Sequence, residues 1–245
     1  MFTAKITATS PAQPITAAPV AVKNDTSGDV WVFFGTGQFL QSLDKENDAV
    51  QSLYGLIDDD GATIQRADLA QRAFVVTVGG QSVFADATLG DMDSKRGWFI
   101  DFNNPDDKGE RIYSEATVAW MGAAGTVLGV VSNVPTKDPC DQGGYHYYNY
   151  LDAFTGGNIS VPFLDSNHDG EVNDGDLVLN ATTGALHTPR RKEQGLSATT
   201  LVLKCGRYVL PAQTSDGNLV EEAVDAKGCG GAGIKGRVSW RELIN

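Results

Sequence analysis

Short runs of β-branched and aromatic residues, each stopped by glycine, asparagine or aspartate, constrain this chain more than any other feature. Val30-Trp31-Val32-Phe33-Phe34 ends at Gly35-Thr36-Gly37. A continuous apolar run of that length, bounded by turn residues, reads as a buried strand. Glycines around Thr36 let the backbone turn or approach a neighbour closely. Residues 50–57 read as a second strand. It stops at Asp58-Asp59-Asp60-Gly61, a turn whose acids lack the alternate spacing of a calcium loop. Residues 73–78 and 81–84 around Gly79-Gly80 read as a hairpin with a two-residue turn. Residues 97–102 give another strand, and 117–121 with 126–131 a second hairpin. Residues 145–151, 177–179, 199–203 and 207–210 are extended. Pro11, Pro14 and Pro19 exclude helix from the first 28 residues, leaving 13–20 as an extended edge. The one helical expectation is a short segment within 62–72. The polar stretch up to Gln194 and residues 211–233 read as loop.

The fold class is therefore all-β, a sandwich or a propeller. Tyr54-Gly55-Leu56-Ile57-Asp58, Trp98-Phe99-Ile100-Asp101 and Tyr150-Leu151-Asp152 each run aromatic, apolar, Asp, then turn. They lie 44 and 52 residues apart, near the period of four-stranded propeller blades. This favours a β-propeller of three or four blades. That number is at or below what closes a ring, so residues 1–245 are expected to be the last blades of a larger propeller.

One stretch specifies a chemistry. In residues 165–176, oxygen-bearing side chains fall at loop positions 1, 3, 5, 9 and 12, with Gly170 at position 6 and Val172 at position 8. Alternate side chains of a tight loop converge on one point, and a hard cation takes 6–8 oxygens. Asp165, Asn167 and Asp169 are expected as direct Ca2+ ligands and Glu171 as a backbone carbonyl ligand. Asn173 is expected to act directly or through water, and Asp176 to close the site. Asp176 stands where such EF-hand-like loops carry a longer bidentate Glu.

The remaining chemistry is sparse. The formal net charge of −12, with Arg190-Arg191-Lys192 as the only basic triplet, argues against nucleic acid. No stretch approaches the length of a membrane span, and Met1-Phe2-Thr3-Ala4-Lys5-Ile6 has no apolar leader. Cys140, Cys205 and Cys229 show no zinc-type spacing, and their pairing is open. His146 lies in an aromatic strand and reads as structural, whereas His168 sits at a solvent-facing loop position. Residues 228–233 match G-x-G-x-x-G but lack a following helix. Among Tyr145, Tyr147, Tyr148 and Tyr150, alternation sends the last two to one face, so half of the set is expected in the core.

Several segments together resemble the PilC/PilY family of type IV pilus tip-associated adhesins and biogenesis factors. They are residues 13–19, 32–40, 51–58, 96–102, 109–111, 138–140, 151–157 and 239–243, in this order over nearly the whole chain. The resemblance implies the family's C-terminal propeller, exported and displayed at the pilus tip or outer-membrane surface. It implies minor pilins, and host or abiotic surfaces, as partners. It also implies calcium held by Asp165, Asn167, Asp169, Glu171 and Asn173, with Asp176 following the longer loop pattern. In the family, calcium occupancy is associated with the balance of pilus extension and retraction, and so with twitching motility and attachment. No enzymatic activity is expected.

Three other readings compete. A quinone-dependent propeller dehydrogenase fragment is suggested by the turn at 151–156, but such turns are structural in propellers. A helix-flanked calcium sensor is opposed by Val161-Pro162-Phe163 before the loop. A generic extracellular calcium-stabilised β-domain needs only the loop.

Overall fold

The structure is a computed structural model that describes residues 1–58, 61, 63–77, 79–138, 143–162, 165–167, 169, 171–180, 182–197, 202–204, 207–213, 215 and 219–224. In chain order the strands are β1 (Val20–Lys23), β2 (Val30–Gly35), β3 (Gln51–Asp58), β4 (Ala70–Arg72), β5 (Phe74–Val76), β6 (Ser82–Phe84), β7 (Gly97–Phe102) and β8 (Thr117–Trp120). They continue as β9 (Thr126–Pro135), β10 (Gly144–Asp152), β11 (Val178–Leu179), β12 (Leu186–His187), β13 (Arg191–Gln194), β14 (Val202–Lys204), β15 (Arg207–Gln213) and β16 (Leu219–Val224). Helical structure among the described residues is confined to short 3-10 turns, so the fold is all-β as expected.

Two sheets carry most of it. One has the order β1-β2-β3-β7-β4, antiparallel except that β4 runs parallel to β7. The other, β13-β10-β9-β8, is antiparallel throughout. A core lies between them. Trp31, Phe33, Leu53, Trp98, Ile100 and Phe102 from the first sheet meet Leu128, Val130 and Leu151 from the second. Each sheet also buries its outer face. Phe34, Tyr54, Leu56 and Phe99 pack under Ala4, Ile64 and Leu69, while Val127, Val131, Tyr148 and Tyr150 pack against Met121 and Ile159. Burial on both faces explains why these strands read as near-continuous apolar runs instead of alternating ones. Full burial of one such side chain stabilises by about 1.5–3 kcal/mol, so strands with two covered faces form the stable centre.

Trp98 fixes how closely the elements approach. Its indole is flanked by Gly55 of β3 and Gly156, where added Cβ atoms would lie 2.6 and 2.5 Å from ring carbons. The indole N–H donates to the Ala153 carbonyl at 2.9 Å. Asp152 holds that turn, its Oδ1 accepting from the N–H groups of Phe154 (3.0 Å) and Thr155 (2.8 Å). The motif at 151–157 thus has a structural job: it sets the backbone against a tryptophan.

Several expectations are corrected. Residues 62–72 hold a 3-10 turn, Arg66–Asp68, and then β4. The β4 pairing with β7 outweighs a weak local helical pattern. The 73–84 hairpin is real, but Thr77 N–H donates to the Gln81 carbonyl and Gly80 takes φ +77°, so its turn is longer than two residues. The polar stretch before Gln194 contains β12 and β13, and the 211–233 loop contains the end of β15 and all of β16.

The aromatic-Asp repeat does not mark successive blades. Tyr54 pairs with Phe99 and Gly55 with Trp98 on adjacent strands of one sheet, while Tyr150 belongs to the other. A closed ring of blades is not seen in the described residues. Cys140, Cys205, Cys229, His168, Gly170 and residues 228–233 lie outside the described residues.

Candidate metal loop and the cleft beside it

The stretch 165–176 is tied together by its own oxygens. Asp176 is buried, at 1% exposure. Its Oδ1 accepts from the N–H groups of Ser166 at 2.7 Å and Asn167 at 3.2 Å, and its Oδ2 from that of Asn173 at 2.9 Å. The Ser166 hydroxyl donates to the Asp176 carbonyl at 2.6 Å. Three further contacts follow a two-residue step. Asn167 Oδ1 accepts from Asp169 N–H (2.9 Å), Asp169 Oδ1 from Glu171 N–H (2.8 Å) and Asn173 Oδ1 from Gly175 N–H (2.7 Å). Short polar side chains bond the backbone two residues on, and this spacing repeats that turn along the loop. A 3-10 turn at Asp174–Asp176 closes it.

Asp176 therefore pins both ends of the loop. Asn167 Nδ2 donates to Asp169 Oδ2 at 3.0 Å, drawing two expected ligands together. Asp165 is half-buried at the loop entrance, and the Glu171 side chain is exposed. Among the described residues, no three His, Cys, Asp or Glu side chains converge as a ligand set. The donors are nonetheless all oxygen. Asn167 Oδ1, Asp169 Oδ1 and Asn173 Oδ1 each accept one N–H and retain a second lone-pair direction, whereas Asp176 Oδ1 already accepts two. Apart from that oxygen, the chemistry of this set fits a hard cation. Pro162 before the loop and Leu177 after it are non-helical, and no helix pair flanks it among the described residues.

Ser166 also faces a cleft of about 650 Å³. The cleft is bounded by Gln71 of β4, Phe74 and Gln81 of the β5–β6 hairpin, Asp106, and Lys192 of β13. At its base the Arg190 guanidinium lies 4.1 Å from the Phe74 ring centre and 4.2 Å from that of Tyr147. The guanidinium pairs with Glu110 and bonds Asn149 Oδ1 at 2.7 Å. Glu110 accepts in turn from the Ser132 hydroxyl. Burial pushes the Glu110 carboxyl up, against the downward pull of Arg190. Nearby, Asp107 accepts from the Tyr145 hydroxyl at 2.6 Å and the Tyr147 hydroxyl at 3.1 Å. Burial, reinforced by that carboxylate, raises both phenols.

The sequence did not disclose this buried polar group. Its one trace was the isolated basic triplet at 190–192 in an acidic chain. The tyrosines face as alternation requires, Tyr148 and Tyr150 one way and Tyr145 and Tyr147 toward Asp107, but Tyr147 is buried as well, so three of the four are buried instead of half. His146 is fully buried, bonded to the Gly195 carbonyl and edge-on to Tyr148, a structural place.

The double-sheet fold has a solved counterpart. The chain superposes on a protein described as the Pseudomonas aeruginosa PilY1 C-terminal domain with a TM-score of 0.69 at 18% identity, covering 91% of this chain and 47% of that one. Its sequence is homologous to type IV pilus biogenesis factors. It is 30% identical over 237 residues to a PilY1 homolog of Xylella fastidiosa and 29% identical over 259 residues to PilY1 of Pseudomonas aeruginosa strain PAO1, matching 95% of the chain in each case. The chain spans 18% and 21% of the length of those two relatives. No family model matches it.

Proposed function

We propose that the chain is a calcium-stabilised portion of a type IV pilus biogenesis and adhesion protein, displayed at the pilus tip or outer-membrane surface. The observation that carries this reading is the similarity to PilY1 factors over 95% of the chain. The all-oxygen loop adds to it. Asp165, Asn167 and Asp169 would hold the ion by side chains, Glu171 by its carbonyl, Asn173 directly or through water, and Asp176 by closing the site. Bound calcium would cross-link the loop and hold the Ser166 edge of the cleft. The two face-to-face sheets are read as blades of a larger propeller. Minor pilins and host or abiotic surfaces are the proposed partners, and calcium occupancy is proposed to bias pilus extension against retraction. The role is not enzymatic.

The test is thermal unfolding with calcium and with chelator. A ligand that binds only the folded state at 100 times its Kd stabilises by about 2.7 kcal/mol. Calcium is expected to raise the Tm, and Asp165→Ala to abolish the rise. An unchanged Tm in wild type removes the metal from the proposal. For the pilus role, Asp169→Ala in the full-length protein is expected to alter twitching at normal protein abundance. Unaltered twitching removes the link between calcium and motility.

A further inference from the structure

The β11–β12 hairpin begins two residues after Asp176 and returns to the body of the protein at His187. Val178 pairs with His187 across the hairpin. The imidazole is fully buried, and its two nitrogens face different parts of the molecule. Nδ1 lies 2.9 Å from the Phe84 carbonyl at the end of β6. A carbonyl only accepts, so Nδ1 carries a proton in either charge state. Nε2 faces two groups at nearly equal range: the Asn180 side-chain nitrogen of the hairpin turn at 3.4 Å and the Asp86 carboxylate of the body at 3.3 Å.

These two groups make opposite demands. The Asn180 amide nitrogen donates, so it needs an unprotonated Nε2. The Asp86 carboxylate accepts, so it needs a protonated one. The amide has no simple way to reverse. Asn180 is buried, and its Oδ1 already accepts from the N–H groups of Thr182 at 2.9 Å and Thr183 at 3.3 Å. A flipped amide would leave these turn donors facing an NH2 group, and lost partners are costly in a buried setting. Asp86, at 49% side-chain exposure, is free to adjust and is the only charged group within ion-pair distance of the ring among the described residues. The ring therefore has two bonding patterns and one proton to choose between them.

We propose that His187 is a proton-operated coupling between the body of the protein and the hairpin that follows the 165–176 loop. When neutral, it bonds Asn180 and belongs to the hairpin turn. When protonated, it releases Asn180 and bonds Asp86, while the bond to Phe84 persists in both states. The hairpin's other ties to the body are insensitive to this proton: Thr188 N–H and Oγ1 donate to the Ile159 carbonyl, and Asn158 Nδ2 donates to the Leu186 carbonyl. The effect is thus expected at the 180–184 turn without unfolding of the hairpin. The inference goes beyond the calcium reading and does not depend on it.

The experiment is NMR of the folded chain in chelator from pH 5.5 to 8.5. The His187 ring nitrogens and the Asn180 side-chain amide are followed together. The expected result is that Nδ1 stays protonated throughout, that Nε2 gains a proton toward acid, and that the Asn180 amide shifts in step with it. Asp86→Asn removes the carboxylate at a part-exposed site, so its folding is not in question. In that variant the Asn180 resonance is expected to hold its alkaline position to pH 5.5. An Nε2 that does not change state in wild type overturns the proposal. So does an Asn180 amide that fails to follow Nε2, or an Asp86→Asn variant that titrates as wild type does.

Discussion

Arg190 and Glu110 meet as an ion pair in which each side chain is only 1% exposed. Such pairs are poor evidence of stability on their own, because desolvation offsets much of the attraction, yet removal of one partner is severe. Here the guanidinium is also enclosed by Phe74 and Tyr147. Glu110→Ala is expected to destabilise by about 3–5 kcal/mol, because it strands a buried cation. Replacing both partners together, as Glu110→Leu with Arg190→Met, is expected to lose far less. Urea unfolding of the three proteins checks this. Equal losses in the single and double variants would refute it.

The same pair predicts a pH dependence. Burial raises the Glu110 carboxyl in the folded protein, above an unfolded value of about 4.3. The native state then binds more protons in the window between those two values. The stability from this group is fully present below the unfolded pKa and is lost as pH rises through the folded one. Glu110→Gln has no such proton. The stability of wild type minus that of the glutamine variant should therefore fall as pH rises from about 4 through the carboxylate range. Glu110 Oε2, which has no hydrogen-bond partner among the described residues, is consistent with this sign. A difference that is flat, or that grows with pH, contradicts it.

Trp98 supplies a packing prediction. Gly55→Ala places a methyl group 2.6 Å from the indole of the fully buried Trp98, and overpacking of this kind costs about 1–3 kcal/mol. Gly156→Ala meets the same ring at 2.5 Å and must also hold φ +69°, where an L side chain is strained. It is expected to be the worse of the two. Thermal melts of both variants test the order, and a Gly156→Ala protein as stable as wild type would show that the ring can move aside.

These residues also show what the sequence made legible. The strands at 30–35, 51–58, 97–102 and 144–152 are mostly buried on both faces, and composition alone reveals their apolar and aromatic runs. β13, with sequence Arg-Lys-Glu-Gln, is invisible to that signal. It is a strand because β10 pairs with it, and its neighbour Arg190 is buried by stacking and charge instead of by hydrophobicity. The spacing of Tyr54 and Trp98 misled for a related reason. A repeat along the chain cannot distinguish equivalent strands of two sheets from neighbouring strands of one, and here they are neighbours. In the loop, the two-residue step of Asn167, Asp169 and Glu171 was legible, but the role of Asp176 as a backbone clamp was not. That role depends on its burial, which loop spacing does not encode.

Asp176 and Asp169 should therefore separate the loop's own architecture from its metal. Asp176 is buried and accepts from three backbone N–H groups spanning both ends of the loop. Its removal leaves those donors without a partner, at about 1–3 kcal/mol for a buried group. Asp176→Ala is expected to lower the Tm and to speed amide exchange at Ser166 and Asn173 even in chelator. Asp169 is exposed, and one of its bonds is to the adjacent Asn167 side chain. Asp169→Ala in chelator is expected to stay within about 0.5 kcal/mol of wild type, as surface changes usually do. With calcium present, Asp169→Ala should fail to gain the stabilisation that wild type gains. Amide exchange with and without calcium on the three proteins reads both effects at once. If Asp169→Ala loosens the loop in chelator as much as Asp176→Ala does, the two acids share a structural role and the division argued from burial is wrong.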